Sequence, residues 1–373
     1  MKWVFWCGVC AVLYTYLGYP LWLWLRAHWH PAPVFRSQCV PLVSIVMVVR
    51  NERKVLRKKL LNVLGLNYPK EQLELVVVSD GSTDGTEGIL AEFAHELRLR
   101  WIGKSQPRGK AAGLNDGITN ARGEIVVFTD ARQQIEDDAL RLLMENFADE
   151  SVGCVSGELM LGNRSSGETG RGMGLYWRIE KKIREMESAS GSVMGATGAF
   201  YAVRRALLAP VPPELILDDV YIPLQVLRQG ARVLFDSRAR AWDVPDLGAS
   251  REFARKVRTL NGNYQLVQLA PWLLTSANPA RVQFVSHKLM RLFSPFALVA
   301  VLAASLFLPQ PIYRLALLSQ VALYGLSLLA ISSLALGPLA RVADAALTFV
   351  ILNTAAAVAF VNFVTGRKVV WTR

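Results

Sequence analysis

Cysteine is scarce, four in 373 residues. Cys7 and Cys10 fall inside one long apolar run, while Cys39 and Cys154 stand alone. A C-x-x-C spacing inside such a run reads as two small, apolar-tolerant residues, so no disulfide is predicted. No G-x-G-x-x-G opens the first helix of the central region, which argues against a dinucleotide-binding oxidoreductase. Acidic residues nearly vanish from Arg251 onward, where twelve Lys and Arg face only Glu252 and Asp344, so +10 of the chain's +12 lies there. Those bases crowd the approach to apolar segments, which suits anionic lipid headgroups and excludes a nucleic-acid footprint.

What the chain has in excess is apolar surface, 52% of its residues, with a positive mean hydropathy. The excess sits at the two ends. Trp3 to Leu25 is uncharged over 23 residues, about the length that crosses a hydrocarbon core of ~30 Å. It is too long and too aromatic for a cleaved leader. Leu315 to Leu336 and Ala345 to Val364 are also uncharged and long enough to span, whereas Leu289 to Leu308 is interrupted by Arg291 and Pro295. The expected organisation is a transmembrane helix at 1–28, a cytoplasmic domain at 29–250, an amphipathic interface segment at 251–288, and two or three spans within 289–373. Basic residues beside the spans place the domain on the cytoplasmic side of the cell membrane. With three later spans, Arg367, Lys368 and Arg373 would lie outside, against the same tendency.

Between the ends, short apolar runs alternate with charged helical segments. Val43 to Val49 and Leu73 to Asp80 read as buried strands, with a helix between them. A helix is expected around Gly88 to Leu97, a strand near Leu99 to Ile102, a helix from Lys110 to Ala121, and a strand ending at Asp130. Near-continuous Val and Ile separated by helices predict an α/β fold, with a mostly parallel sheet covered on both faces. Ligands of such sheets bind outside the carboxyl ends of the strands, where Asp80 and Asp130 fall. The turn SDGSTDGT (Ser79 to Thr86) offers Ser82 or Asp84 as a helix N-cap.

The series VSIVMVVRNE, SDGSTDGT, RGKAAGLNDG and VVFTDA, in that order, resembles the family 2 glycosyltransferases, whose nucleotide-sugar domain has the GT-A fold. The resemblance covers roughly residues 41–260, and the flanking spans are similar to those of the membrane-bound, polysaccharide- or glycolipid-making branch. It implies that Asn51 and Glu52 lie beside the nucleoside, that Asp80 hydrogen-bonds the nucleobase, and that Lys110 and Asn115 lie near the diphosphate. It also implies Asp130 as the first acid of a D-x-D motif holding Mg2+ or Mn2+. Lys110 could instead be a solvated helix-start residue. Further along, Asp218 and Asp219 match the acidic motif that supplies the base of an inverting transfer, with Asp219 as the base; the alternative for both is helix capping. Gly195, Gly198 and Ala199 would give an acceptor close backbone access, or permit a turn.

Five positions depart from the family pattern. Arg50 replaces the usual Tyr and Val48 the usual Pro. Arg132 stands at the second acid of D-x-D, where it would pair with a phosphate oxygen or point to solvent. Arg258 is kept from a Q-x-x-R-W motif whose Gln and Trp positions are Arg255 and Thr259, so a lipid-phosphate acceptor is as compatible with the sequence as a growing polysaccharide. Arg251, Arg255 and Arg258 would face away from Phe253, Val257, Leu260 and Tyr264 in an interfacial helix that Asn261 and Gly262 would break. The resemblance implies an inverting transferase that uses a nucleotide-sugar donor, expected to be a UDP-sugar, and a lipid-linked or polysaccharide acceptor. Its partners would be membrane lipid and polysaccharide-synthesis or export proteins, with no nucleic acid. The competing class is a non-catalytic sugar-nucleotide-binding partner of such a system.

Overall fold

The computed structural model describes all residues except 97, 163–174, 245–247, 333–336 and 368–373. Helix α1 (Lys2–Trp29) opens the chain, with a π-helical stretch at Tyr14–Gly18. The α/β domain follows as β1 (Val43–Val49), α2 (Arg53–Leu64), β2 (Leu73–Asp80), α3 (Thr86–Glu92), β3 (Arg100–Lys104), α4 (Lys110–Asn120) and β4 (Ile125–Thr129). It continues through β5 (Gln134–Ile135), α5 (Ala139–Glu145), β6 (Val152–Leu161), α6 (Leu175–Ala189), β7 (Phe200–Arg204), α7 (Asp218–Arg228) and β8 (Arg232–Asp243). Last come α8 (Ala249–Leu269), α9 (Arg281–Phe307), α10 (Pro311–Ile331) and α11 (Ala340–Val364).

Every residue of β1 and β2 is buried, which explains why both read as nearly continuous apolar runs; the buried polar pair Ser44 and Glu74 is satisfied by a hydrogen bond between them. The pleat sends alternate residues to two cores. Ile45, Met47, Leu75 and Val77 join one with Leu56, Leu60 and Val63 of α2. Val46, Val48, Val76 and Val78 join the other with Ala111 and Leu114 of α4. Helix α4 lies close on the sheet because Gly113 and Gly117 face it: a Cβ at Gly117 would lie 2.5 Å from Val46 Cγ1, and one at Gly113 2.7 Å from Val48 Cγ1.

The strands form one mixed sheet in the order β3-β2-β1-β4-β7-β6-β8-β5. The β3-β2-β1-β4 part is parallel, so the ends of β1, β2 and β4 open on one edge. The order reverses between β1 and β4, and that crevice is where such sheets bind ligands. Strand β7 enters antiparallel, with Phe200 opposite Thr129, and thereby brings the residues preceding it to the same edge.

Several expected boundaries shift. Helix α3 closes at Glu92, short of the expected Leu97, which lies outside the described residues. Helix α8 runs through Asn261 and Gly262 without a break. The reason is tertiary: a Cβ at Gly262 would lie 2.7 Å from Leu217 Cγ, so glycine lets the helix settle on the domain, and Asn261 Nδ2 donates to Ala359 O of α11 at 3.3 Å. Among the described residues four helices, α1, α9, α10 and α11, are long and apolar enough to cross a membrane. The interrupted segment is one of them, since Arg291 pairs with Glu180 of α6 at 2.7 Å and does not face lipid unpartnered. Arg367 is described, whereas Lys368 and Arg373 lie outside the described residues.

Membrane helices and domain are joined by buried contacts. Phe5 of α1 packs with Val301 and Ala304 of α9. Val257 of α8 packs with Ala355 and Ala359 of α11. Tyr19 Oη of α1 donates to Glu187 of α6 at 2.6 Å, and the same carboxylate oxygen lies 3.0 Å from His287 Nδ1 of α9.

Candidate active site

At the end of β1, Asn51 takes a left-handed conformation (φ 54°). Its N–H donates to Ser82 Oγ at 3.1 Å and its Oδ1 accepts from Thr83 N–H at 2.8 Å. Glu52 is buried, and its N–H donates to Thr86 Oγ1 at 3.0 Å. Asp84 accepts from the N–H groups of Arg53 and Thr86, both at 3.0 Å. The turn of residues 81–85 is therefore pinned to the start of α2. Asp80, buried at the end of β2, accepts from the N–H groups of Arg108 and Gly109 at 2.7 and 2.9 Å. It holds the loop entering α4 and, with about four lone-pair sites on a carboxylate, keeps acceptor capacity for a further N–H.

Asn115 is placed differently from expectation. Its Nδ2 donates to Val211 O at 2.7 Å and its Oδ1 accepts from Val211 N–H at 2.8 Å. Both ends of the amide clamp α4 to the loop before α7, so Asn115 supports that loop, with one further N–H and one further lone pair left on the amide.

The remaining candidates converge. Lys110, the first residue of α4, places Nζ 3.2 Å from Asp130 Oδ1 and 3.3 Å from Asp218 Oδ2. It is a bridge between two acids, not a solvated helix start. Burial opposes its charge, but Asp130, Asp218 and Asp219 prevail and hold it above the ordinary lysine range. Asp218 and Asp219 occupy the first turn of α7, where no side chain caps the helix; their carboxylates face the crevice at the positive end of the helix. Asp219 O accepts from Ala196 N–H at 2.7 Å, and a Cβ at Gly198 would lie 3.2 Å from Asp219 Oδ2. Glycine thus leaves open the approach to that oxygen. Burial, and then Asp218, push the Asp219 carboxyl up to about 6. Ala199 O accepts from Thr129 Oγ1 at 2.8 Å, which fixes this segment beside the end of β4. Arg258 of α8 faces the same acids: burial lowers its pKa against the pull of Asp218, Asp219 and Asp130.

Arg132 does not point freely to solvent. Its Nη2 donates to Asp243 Oδ2 at 2.9 Å, and Gln133 Nε2 reaches the same oxygen at 3.0 Å. Among the described residues no three His, Cys, Asp or Glu side chains converge as metal ligands. Asp130, with its side chain 36% exposed, fits a divalent ion only in the manner of magnesium, one or two carboxylates completed by phosphate oxygens and water.

Three contributors escaped the sequence reading. Lys59 is fully buried below the β4 end, its Nζ donating to Thr129 Oγ1 at 2.9 Å and to Gln133 O at 2.7 Å. Burial pushes it down to about 7, against the pull of Asp130. The signal was present, since Leu56, Lys59, Leu60 and Val63 form the buried face of α2 and Lys59 is the cation on it. Arg184 of α6 donates to Thr197 Oγ1 at 2.6 Å and to Gly195 O at 3.0 Å, bracing the segment before Gly198. Asp243, at the end of β8, is the third. Neither Arg184 nor Asp243 carries a local signal: the partners of Arg184 lie 11 and 13 positions away across a loop, and those of Asp243 lie 110 and 111 positions away.

Residues 44–211 match the family model described as glycosyl transferase family 2. The chain is 27% identical over 240 residues to a poly-beta-1,6-N-acetyl-D-glucosamine synthase of Staphylococcus epidermidis, covering 63% of this chain and 58% of that protein. It is 24% identical over 234 residues to the synthase of the same name from Staphylococcus aureus strain COL, covering 60% and 55%. The chain thus spans little more than half the length of these relatives. Its fold is similar to that of the mannosyltransferase PcManGT from Pyrobaculum calidifontis, solved with GDP-Man and Mn2+, at a TM-score of 0.75 and 23% identity over 98% of this chain and 100% of that one.

Proposed function

We propose, from the premise that residues 44–211 form a glycosyl transferase family 2 domain, that this protein is an inverting membrane glycosyltransferase. It moves a sugar from a nucleotide-sugar donor, in the first instance a UDP-sugar, to a lipid-linked or polysaccharide acceptor. The observation that carries the reading is Asp219, a half-buried carboxyl raised to about 6 that opens on the space left by Gly198. A general base works best with a pKa near the working pH, and a merely sugar-nucleotide-binding protein has no need of one.

In this reading the acceptor lies along Gly198 and Ala199. As its hydroxyl oxygen attacks the anomeric carbon, Asp219 takes the hydroxyl proton. The anomeric carbon–oxygen bond to the diphosphate breaks, and its electron pair leaves with the nucleoside diphosphate. Asn51, Glu52 and Asp80 line the nucleoside end, and Lys110 meets the charge that develops on the diphosphate. A divalent ion, Mg2+ or Mn2+, bound by Asp130 and the donor phosphates would neutralise further charge on the leaving group. Asp218 and Lys110 set the field around the base. The synthases it resembles support polysaccharide as one acceptor class. The four long apolar helices and the bases beside them support a multi-pass protein of the cell membrane with a cytoplasmic domain.

The test is mass spectrometry of lipid and polysaccharide fractions from membranes containing the full chain, incubated with a panel of nucleotide sugars. A new glycosylated product present with wild type and absent with Asp219→Asn is expected. No product with any donor, or equal product from both proteins, would overturn the reading.

A further inference from the structure

Lys59 puts an amine on the buried face of α2, among Leu56, Leu60 and Val63, with none of its side chain exposed. Burying a charge is costly unless it is paired or hydrogen-bonded, and here two oxygens offset the cost. Nζ donates to Thr129 Oγ1 at 2.9 Å and to Gln133 O at 2.7 Å. Thr129 is the last residue of β4, and Gln133 stands just before β5. One side chain therefore ties together both ends of the loop 130–133, which carries Asp130 and Arg132. The outer side of that loop is held separately, since Arg132 and Gln133 both donate to Asp243.

The contact with Thr129 continues across the sheet to β7. Thr129 Oγ1 lies 2.8 Å from Ala199 O. A carbonyl oxygen can only accept, so the single hydroxyl proton goes to Ala199 and the hydroxyl lone pairs are left for Lys59. The order from Lys59 through Thr129 to Ala199 is thereby fixed in direction. Lys59, Thr129 and Ala199 are all buried, and in such surroundings linked hydrogen bonds are strong and reinforce one another. Ala199 ends the segment in which a Cβ at Gly198 would lie 3.2 Å from Asp219 Oδ2, while Asp130 directly follows Thr129. The amine itself is shut off from solvent below the end of β4, so it does not meet a ligand.

We propose that Lys59 is a positioning residue for the transfer step: through Thr129 and Gln133 it sets Asp130 on the donor side, and through Ala199 it sets the segment along which the acceptor lies. The reaction it serves is that of the glycosyltransferase reading, on which the proposal rests. Reacting groups must meet in a narrow range of geometry, and a misplacement of about 1 Å costs on the order of 10²-fold. Donor affinity in that reading belongs to Asn51, Asp80 and Lys110, which Lys59 does not touch. Loss of Lys59 therefore falls on kcat. A lysine that served the fold alone would show its loss in the melting temperature.

The test uses the full chain in membranes with the donor that wild type accepts, and reads kcat, donor KM and, on solubilised protein, the melting temperature. Calorimetry gives the affinity for UDP, or for GDP should a GDP-sugar be the active donor. Lys59→Met and Thr129→Val should each lower kcat by about tenfold to a hundredfold, with nucleotide affinity close to wild type. Thr129→Ser, which restores the hydroxyl, should recover most of the rate lost in Thr129→Val. Residues acting as one unit are not additive, so the double variant Lys59→Met with Thr129→Val should fall no further than Lys59→Met alone. Asn62→Ala is the structural control, because Asn62 clamps the same helix to both the N–H and the carbonyl of Ile135, at 2.8 and 2.7 Å. It should lower the melting temperature and leave kcat within a few-fold of wild type. A near wild-type kcat in Lys59→Met, an equal loss of kcat in Asn62→Ala, or losses that multiply in the double variant would overturn the proposal while wild-type transfer stands. Absence of transfer by wild type with every donor would instead sink the glycosyltransferase reading, and this role with it.

Discussion

Arg132 Nη2 and Asp243 Oδ2 lie 2.9 Å apart, so the guanidinium standing where relatives of this sequence pattern carry a second acid is held by a carboxylate from the far strand β8. The pair turns Arg132 away from the role of a free counter-charge and leaves Asp130 with Lys110 as its near cation. Transfer should therefore depend on a divalent ion. Chelator-treated membranes should lose activity and regain it with Mg2+ or Mn2+. Arg132→Asp should tighten metal binding, read as a lower half-saturating concentration, with modest change in transfer. Full activity after chelation would show that Lys110 and Arg132 alone carry the diphosphate charge.

Asp219→Asn should lower transfer by ~10²–10⁴-fold, the usual loss on removing a general base, while nucleotide affinity measured by calorimetry stays near wild type. A rate within a few-fold of wild type would remove Asp219 from the role of base.

The same residue sets the pH profile. Its carboxyl is raised to about 6, and the base must be ionised, so kcat/KM should fall as pH drops through that value. Asp218 is the second cause of the rise, acting through its negative charge. Asp218→Asn should therefore move the acid limb to lower pH, and an unmoved limb would refute the coupling.

Lys110→Met should leave Asp130 and Asp218 facing each other without their bridge. The expected result is a donor KM raised at least tenfold, with a stronger dependence on divalent ion concentration as metal takes over the charge. Donor binding unaltered in the variant would place Lys110 outside the diphosphate path.

Lys59 gives a stability prediction. Its folded pKa of about 7 lies below an unfolded value of ~10.4, so between those values the unfolded chain binds more protons and stability rises with pH. The melting temperature of the solubilised protein should rise from pH 7 to 9, and that component of the rise should vanish in Lys59→Met. Identical slopes in both proteins would show that the buried amine does not titrate there.

The sequence by itself determined the strands β1, β2 and β4, because strands buried on both faces of a sheet are apolar at nearly every position. It also located Asp80 and Asp130 at strand ends, and the apolar segments at both termini, because each is a local property of composition and length. Only the tertiary structure decided which charges meet. Antiparallel β7 brings Gly198 and Ala199 to the end of β4, and α4 carries Lys110 between Asp130 and Asp218. The same holds for Asn115, whose amide is taken by Val211, for Arg132, which is held by Asp243, and for Gly262, whose missing side chain lets α8 run on against Leu217. These contacts join residues from 20 positions apart, as with Lys110 and Asp130, to 111 apart, as with Arg132 and Asp243, and no local pattern of residues encodes a partner at such distances.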